Sequence, residues 1–431
     1  MKKILCSFLV MILAIGMFAG CDQKTEVNMN HPNVTEKPVV IDQPIEGPIE
    51  LTDPVVVPLE KPAKALGFGL NSNDVKLIDY LANQAQKKSS NLFMSTMSVD
   101  MALGMLYCGA NGSSYEELKT YLGLTDEEMK KAAKLLIEAA KASENGRKDR
   151  PNTFVSIANS LWYKEDQVIS EDYIGLLKEY FGADVQTADF HGDAADKINA
   201  WAAEKTRNLI KGIVNKEVVE KASDVLVNAI YFKGPWIDEF YKTEQDDFTL
   251  TDGSKVKCDM MSGTGFEYYE NDQAVGFSKL YAGGYKFVGI LPKETGDFSL
   301  ESLDVVGLLE NGTMDFDVDV RMPKLEVSYS DEGELMRGLK ELGVNVIFSD
   351  AADFSNISRG LTVSNILHKA VLKLDEKGTE AAAVTSVIVS TTGLPVQRET
   401  KLVELNRPFA FFILDSGNNA FFAGKILNPA K

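Results

Sequence analysis

Met314, Phe316, Val318, Val320 and Met322 alternate strictly with Asp315, Asp317, Asp319 and Arg321. A period of two puts the apolar set on one face of a pleated strand and the charged set on the other, so 314–322 predicts a half-buried antiparallel strand. Further strands are predicted at 225–232, 285–291, 369–374, 402–414 and 420–427, all in the second half of the chain. The first half reads differently. Val75, Ile78, Ala82 and Ala85 recur at helical spacing, and Thr125-Asp126-Glu127-Glu128 is a capping box ahead of an apolar face of Met129, Leu135, Leu136 and Ala139. Residues 98–108 are apolar nearly all round, which predicts a helix buried in the middle of the fold, with Met97, Met101 and Met105 as core filler. A further amphipathic helix is predicted over 193–209 from Ile198, Trp201, Ala202 and Leu209. Helices first and strands later, without regular alternation, predict an α+β fold: a helix-rich N-terminal half packed on large, mostly antiparallel sheets.

The chain has 431 residues, 45% of them apolar, enough to bury a large core. Its formal net charge of -18 argues against nucleic acid or heparin as a partner, because either needs a basic face that displaces counterions. The N-terminus is set apart. Lys2 and Lys3 precede an apolar run over 4–18, which meets Phe18-Ala19-Gly20-Cys21. This predicts an export signal over 1–20, and its ending resembles a bacterial lipoprotein cleavage box, so the expected mature chain starts at a lipid-bearing Cys21. The alternative is an ordinary signal peptide. Residues 21–66 hold half of the chain's 14 prolines, interspersed with acidic residues, and predict a semi-extended tether rather than a core. The folded domain is expected over 67–431, exported and held at a membrane, on the cell surface or the periplasmic face.

Catalytic signatures are missing. Only three histidines occur, and there is no GxSxG elbow, HExxH pair or phosphate loop. His368, between Leu367 and Lys369 at a strand start, reads as a structural histidine. Cys108 and Cys258 read as two buried thiols rather than a bridge, and no CxxC spacing for a metal exists. No cofactor and no metal are expected.

The segment 375–395 stands out. It runs Asp375-Glu376-Lys377-Gly378-Thr379-Glu380-Ala381-Ala382-Ala383-Val384-Thr385 and on to Pro395, with no sustained helical pattern and no charge between Glu380 and Arg398. A loop of that length is usually functional. Small residues near Gly378 and β-branched ones beyond allow it to become a strand, with Thr379, Ala381, Ala383, Thr385, Val387 and Val389 on the inward face and Glu380 toward water.

Glu376 to Ala383 resembles the proximal hinge of the reactive-centre loop of inhibitory serpins. Other stretches are similar to that family in the same order: Asn91-Leu92-Phe93-Met94-Ser95, Ile157-Ala158-Asn159-Ser160-Leu161-Trp162, Asn228-Ala229-Ile230-Tyr231-Phe232-Lys233-Gly234-Pro235-Trp236, Met322-Pro323-Lys324 and Asn406-Arg407-Pro408-Phe409. The resemblance spans 67–431. It implies no enzyme but an irreversible suicide inhibitor of serine endopeptidases, with cysteine endopeptidases as a further class. The target would attack the exposed loop, and the cut loop would enter the central sheet before deacylation. The hinge would be Glu376, Gly378, Thr379, Glu380, Ala381, Ala382 and Ala383. Counting as the family does puts the scissile bond at Thr392-Gly393, and cleavage anywhere from Val389 to Gly393 stays open. Small residues there suit elastase-like or subtilisin-like proteases. Ser95, Ser98, Asn228 and His368 match the family's shutter and Trp236 its breach. Thr96 stands where the family has proline, which predicts a looser start to that helix. The resemblance implies a monomer whose partner is the covalently trapped protease. The competing reading is a non-inhibitory binding protein with the same fold.

Overall fold

The computed structural model describes residues 68–144, 152–222, 224–331, 333–361, 363, 366, 368–379 and 398–430, all within one unit, 58–431. Its strands are β1 (Leu92–Met94), β2 (Phe154–Tyr163), β3 (Asp184–Thr187), β4 (Asp224–Pro235), β5 (Lys242–Thr249), β6 (Lys255–Thr264), β7 (Tyr268–Glu270) and β8 (Ala274–Leu280). They continue with β9 (Lys286–Pro292), β10 (Asp317–Pro323), β11 (Leu325–Ser330), β12 (Lys369–Asp375), β13 (Gly378–Thr379), β14 (Thr400–Glu404), β15 (Phe409–Leu414) and β16 (Ala420–Ile426). The helices are α1 (Ser72–Lys87), α2 (Thr96–Gly109), α3 (Gly112–Leu122), α4 (Asp126–Glu144), α5 (Glu171–Tyr180), α6 (Ala194–Lys205), α7 (Lys216–Lys221), α8 (Val305–Glu310) and α9 (Glu334–Glu341).

Three sheets result, in the orders β11-β12-β13-β4-β2-β3, β1-β16-β15-β9-β8-β7 and β14-β10-β6-β5. Most pairings are antiparallel; β10 with β14 and β2 with β3 are parallel. The class is α+β, as the sequence predicts.

Local chemistry sets the helix starts. Asn71 accepts the N–H groups of Asn73 and Asp74 while the Asp74 carboxylate takes the Asn71 N–H at 2.9 Å, closing a capping box on α1. Thr125 and Glu128 do the same for α4. The buried face of α4, however, is Met129, Ala132, Ala133, Leu136, Ile137 and Ala140. Ala139 is exposed and Leu135 only half-buried, because the stripe drifts around a 19-residue helix. The helix predicted over 193–209 ends at Lys205, where Arg207 and Asn208 turn to φ of 49° and 66°. The strand predicted over 314–322 begins at Asp317, with Met314 exposed, and one of its two partners is parallel. The run 402–414 is two strands in different sheets, parted around Asn406, Arg407 and Pro408.

Helix α2 is buried on all sides, including Met97, Met101 and Met105, and lies between the two six-stranded sheets through contacts with β16 and β4. Its start is not loose. Ser95 caps it, and the buried Thr96 hydroxyl donates to the Ala420 carbonyl at 2.6 Å, so threonine supplies a tie to β16. Cys108 and Cys258 are free thiols, the first half-buried and the second buried.

Candidate functional site

The central sheet is the one ordered β11-β12-β13-β4-β2-β3. Between β12 and β4 among the described residues stand only the two residues of β13: Gly378 pairs with Pro235 and Asp375, and Thr379 with Gly234 and Leu374. Gly378 adopts φ 144°, and a Cβ there would run into the Gly234 carbonyl oxygen and sit 2.8 Å from the Pro235 Cα. Only glycine fits this approach.

The turn before β13 is gripped by backbone and side chain together. The Trp236 N–H donates to the Lys377 carbonyl at 2.9 Å, the Phe240 N–H to the Glu376 carbonyl at 3.0 Å, and the Trp236 indole N–H to the Asp375 carbonyl at 3.0 Å. The Thr379 hydroxyl points inward, as the alternation predicts, and meets the Tyr281 hydroxyl at 2.7 Å. Tyr281 is fully buried and stacks on Trp236 with ring centroids 4.0 Å apart. The Glu376 carboxylate takes the Lys324 ammonium at 2.7 Å and the Thr243 hydroxyl at 2.6 Å. Partial burial pushes the Glu376 carboxyl up, but these two partners outweigh it and hold it below the usual carboxylate range.

A second polar cluster lies deeper, under the same gap. The Ser95 N–H donates to His368 Nε2 at 3.1 Å, and the Ser95 hydroxyl donates to the Phe421 carbonyl at 2.8 Å and accepts the Ser98 N–H at 3.1 Å. The Ser98 hydroxyl donates to Asn228 Oδ1, Asn228 Nδ2 to Asn159 Oδ1 at 2.6 Å, and Asn159 Nδ2 to the Phe181 carbonyl at 2.7 Å. This chain of bonds runs from β16 through α2, β4 and β2 to the end of α5, with His368 just before β12. Burial pushes the His368 imidazole down to about 4. It is therefore neutral at pH 7, with its proton on Nδ1, since Nε2 is the acceptor. Ser95 and His368 do not form a nucleophile and base, because the serine hydroxyl donates elsewhere.

The structure thus brings Ser95, Ser98, Asn228 and His368 into one cluster and Glu376, Gly378, Thr379 and Trp236 into the other. Glu380, Ala381, Ala382, Ala383, Val389, Thr392, Gly393 and Cys21 lie outside the described residues. Sequence reasoning missed the roles of Asn159, Thr243, Tyr281 and Lys324. It also missed Lys369, whose ammonium reaches from β12 to the Gly212 carbonyl at 2.9 Å, on the segment between α6 and α7.

The family model described as "Serpin (serine protease inhibitor)" matches residues 72–429. The chain belongs to the serpin family. It is 32% identical over 358 residues to an uncharacterized serpin-like protein of Thermococcus kodakarensis, covering 79% of this chain and 81% of that one. It is also 32% identical over 360 residues to a serine protease inhibitor of Cyanea capillata, covering 79% and 93%. Among solved structures it is similar to the thermophilic serpin tengpin in the native state, with a TM-score of 0.68, 30% identity, and 86% and 100% of the two chains covered. In this serpin the residues expected as hinge, breach and shutter lie in the turn entering β13, in the grip of Trp236 on that turn and in the Ser95–His368 cluster.

Proposed function

We propose that this serpin is a suicide inhibitor that traps serine endopeptidases of elastase-like or subtilisin-like type. The observation that supports the reading is β13. Two hinge residues already lie between β4 and β12, so the sheet is parted at the breach and the loop's first pairings exist before any cut.

The register carries the argument further. Continued down β4, 12 residues long, the Gly378–Pro235 pairing sets residue 389 opposite Asp224, the last of that strand. A strand of that length is about 40 Å, which is how far an attached protease would be carried. Ala381 and Ala383 would then face Phe232 and Ile230, where small side chains avoid overpacking a formed core. Thr385 would arrive opposite Asn228 on one side and His368 on the other, a hydroxyl delivered to the polar cluster. The strand would end three residues before Thr392, leaving the acyl ester at its tip. Burial and pairing of a free loop supply the driving force, and deacylation fails when the protease's own catalytic groups are pulled out of register.

The chain, incubated with an elastase, a subtilisin and trypsin and run on a denaturing gel, tests this. The expected result is an SDS-stable adduct with the first two and a released fragment beginning near Gly393. Clean cleavage with full protease activity retained overturns it. The reading extends to the N-terminus, where Cys21 would carry a lipid that holds the inhibitor at a membrane; metabolic labelling with a fatty acid, lost in Cys21→Ala, is the check.

A further inference from the structure

Beneath the breach lies a lysine with no place in the scheme above. Lys279, on β8, has only 2% of its side chain exposed. Its ammonium donates to the Thr264 carbonyl at 2.9 Å and lies 3.8 Å from the half-exposed Asp238 carboxylate, the one charged group facing it among the described residues. Its other neighbours are π faces: the nitrogen is 4.5 Å from the Phe240 ring centroid and 5.9 Å from that of Trp236. Gly263 leaves the room for this, since a Cβ there would stand 2.8 Å from the Phe240 ring and 3.4 Å from the ammonium. Phe240 and Trp236 are the two residues whose backbone N–H groups hold the Glu376 and Lys377 carbonyls.

We propose that Lys279 is a positioning residue for the hinge, whose charged ammonium fixes the Phe240 and Trp236 rings and through them holds the turn 375–379 in the sheet, and whose neutral form lets that turn go. This rests on the reading that the turn starts loop insertion. A desolvated ammonium binds a ring face far more strongly than an amine does, by about tenfold in the equilibrium it biases. Burial pushes Lys279 down to about 8, with the Asp238 carboxylate opposing, so the loss of charge falls in an accessible pH range. Asp238, open to water, offers the departing proton a route to solvent.

Hydrogen exchange of peptides covering 375–379 in the uncleaved protein, corrected for intrinsic rates, is read from pH 6.5 to 9.5 together with tryptophan fluorescence. The expected result is a step near pH 8, exchange rising about tenfold, that is absent from Lys279→Met, where the turn exchanges fast throughout. Lys279→Arg, charged at every pH used, is expected to stay protected. A wild-type profile without a step overturns the proposal, whether or not the variants fold, and so does a step that survives in Lys279→Met. Where a protease forms the adduct, the fraction trapped per cleavage falls across the same step in the wild type alone. Absence of any adduct at any pH defeats the suicide mechanism and leaves the exchange result to stand by itself.

Discussion

Acidification from pH 7 to pH 4 is expected to destabilise the Ser95–His368 cluster through one imidazole. In the fold His368 is neutral because burial disfavours the imidazolium, and with Nε2 accepting the Ser95 N–H, protonation there would set one N–H against another. In the unfolded chain the same group titrates near 6.5, in the fold at about 4. Between those values the unfolded state binds a proton that the folded state does not, so stability falls as pH falls. The contribution is intact above about pH 6.5, and about 3 kcal/mol is gone by pH 4. Several buried carboxyls run the other way: burial raises Asp74 and Asp224 to about 7 each and pushes Asp100, Asp79, Asp331 and Asp415 up as well, so their protonated forms favour the fold at low pH and that contribution is lost as pH rises. Raw profiles mix all of these groups, and a variant isolates the imidazole. His368→Gln keeps an acceptor for the Ser95 N–H and does not titrate. Urea unfolding of the wild type and this variant from pH 7 to 4 is expected to show the wild type losing ground by about 3 kcal/mol. A difference that stays constant with pH, or that moves in the wild type's favour on acidification, refutes the reasoning.

Thr379→Arg would bury a guanidinium beside Tyr281, at a cost of several kcal/mol for an unpaired charge. Insertion should slow by about a hundredfold or more, so that a denaturing gel shows cleaved inhibitor in place of adduct; unchanged trapping would count against β13 as the point of entry. Lys369→Met removes the tie between β12 and the Gly212 carbonyl, and because Gly212 follows α6, which packs on β4 and β2, that tie spans the gap an inserting loop would enter. Its loss costs the uncleaved state about 1 to 2 kcal/mol by thermal unfolding and speeds insertion at saturating protease; a rate equal to wild type would mean that the tie is not strained open on the way.

Much of this was readable where the cause is local in sequence. The capping box at Thr125, the all-round apolar α2 and the alternation of Val318, Val320 and Met322 each follow from contacts within a few residues. The turn into β13 was legible for a similar reason, since a positive φ at position 378 and an inward small hydroxyl at 379 leave their mark in residue type. What failed were boundaries set by the partner: 402–414 looks continuous because both halves are apolar, and only the third dimension assigns them to different sheets. The floor beneath Trp236 escaped for the same reason. Tyr281 and Lys279 sit in an ordinary strand sequence, and their roles arise from Thr379 and Phe240, which the fold brings from far along the chain. Asn159 had a faint signal, an asparagine inside an apolar strand, that gains meaning only when Asn228 is seen opposite it.

The parallel pairing of β14 with β10, and the place of β15 and β16 inside the sheet that also holds β1 and β9, decide what becomes of the chain after a cut between 380 and 397. The piece carrying β14 to β16 is not a tail that drifts off. It is woven between strands of the larger piece on both sides, with Asn91 side-chain bonds to Leu427 and Asn428 closing the seam. A nicked molecule would keep its mass and outline in native buffer and come apart only in denaturant. Once apart, its two pieces would have to find each other by diffusion, so regaining the fold would depend on concentration where the intact chain's folding does not.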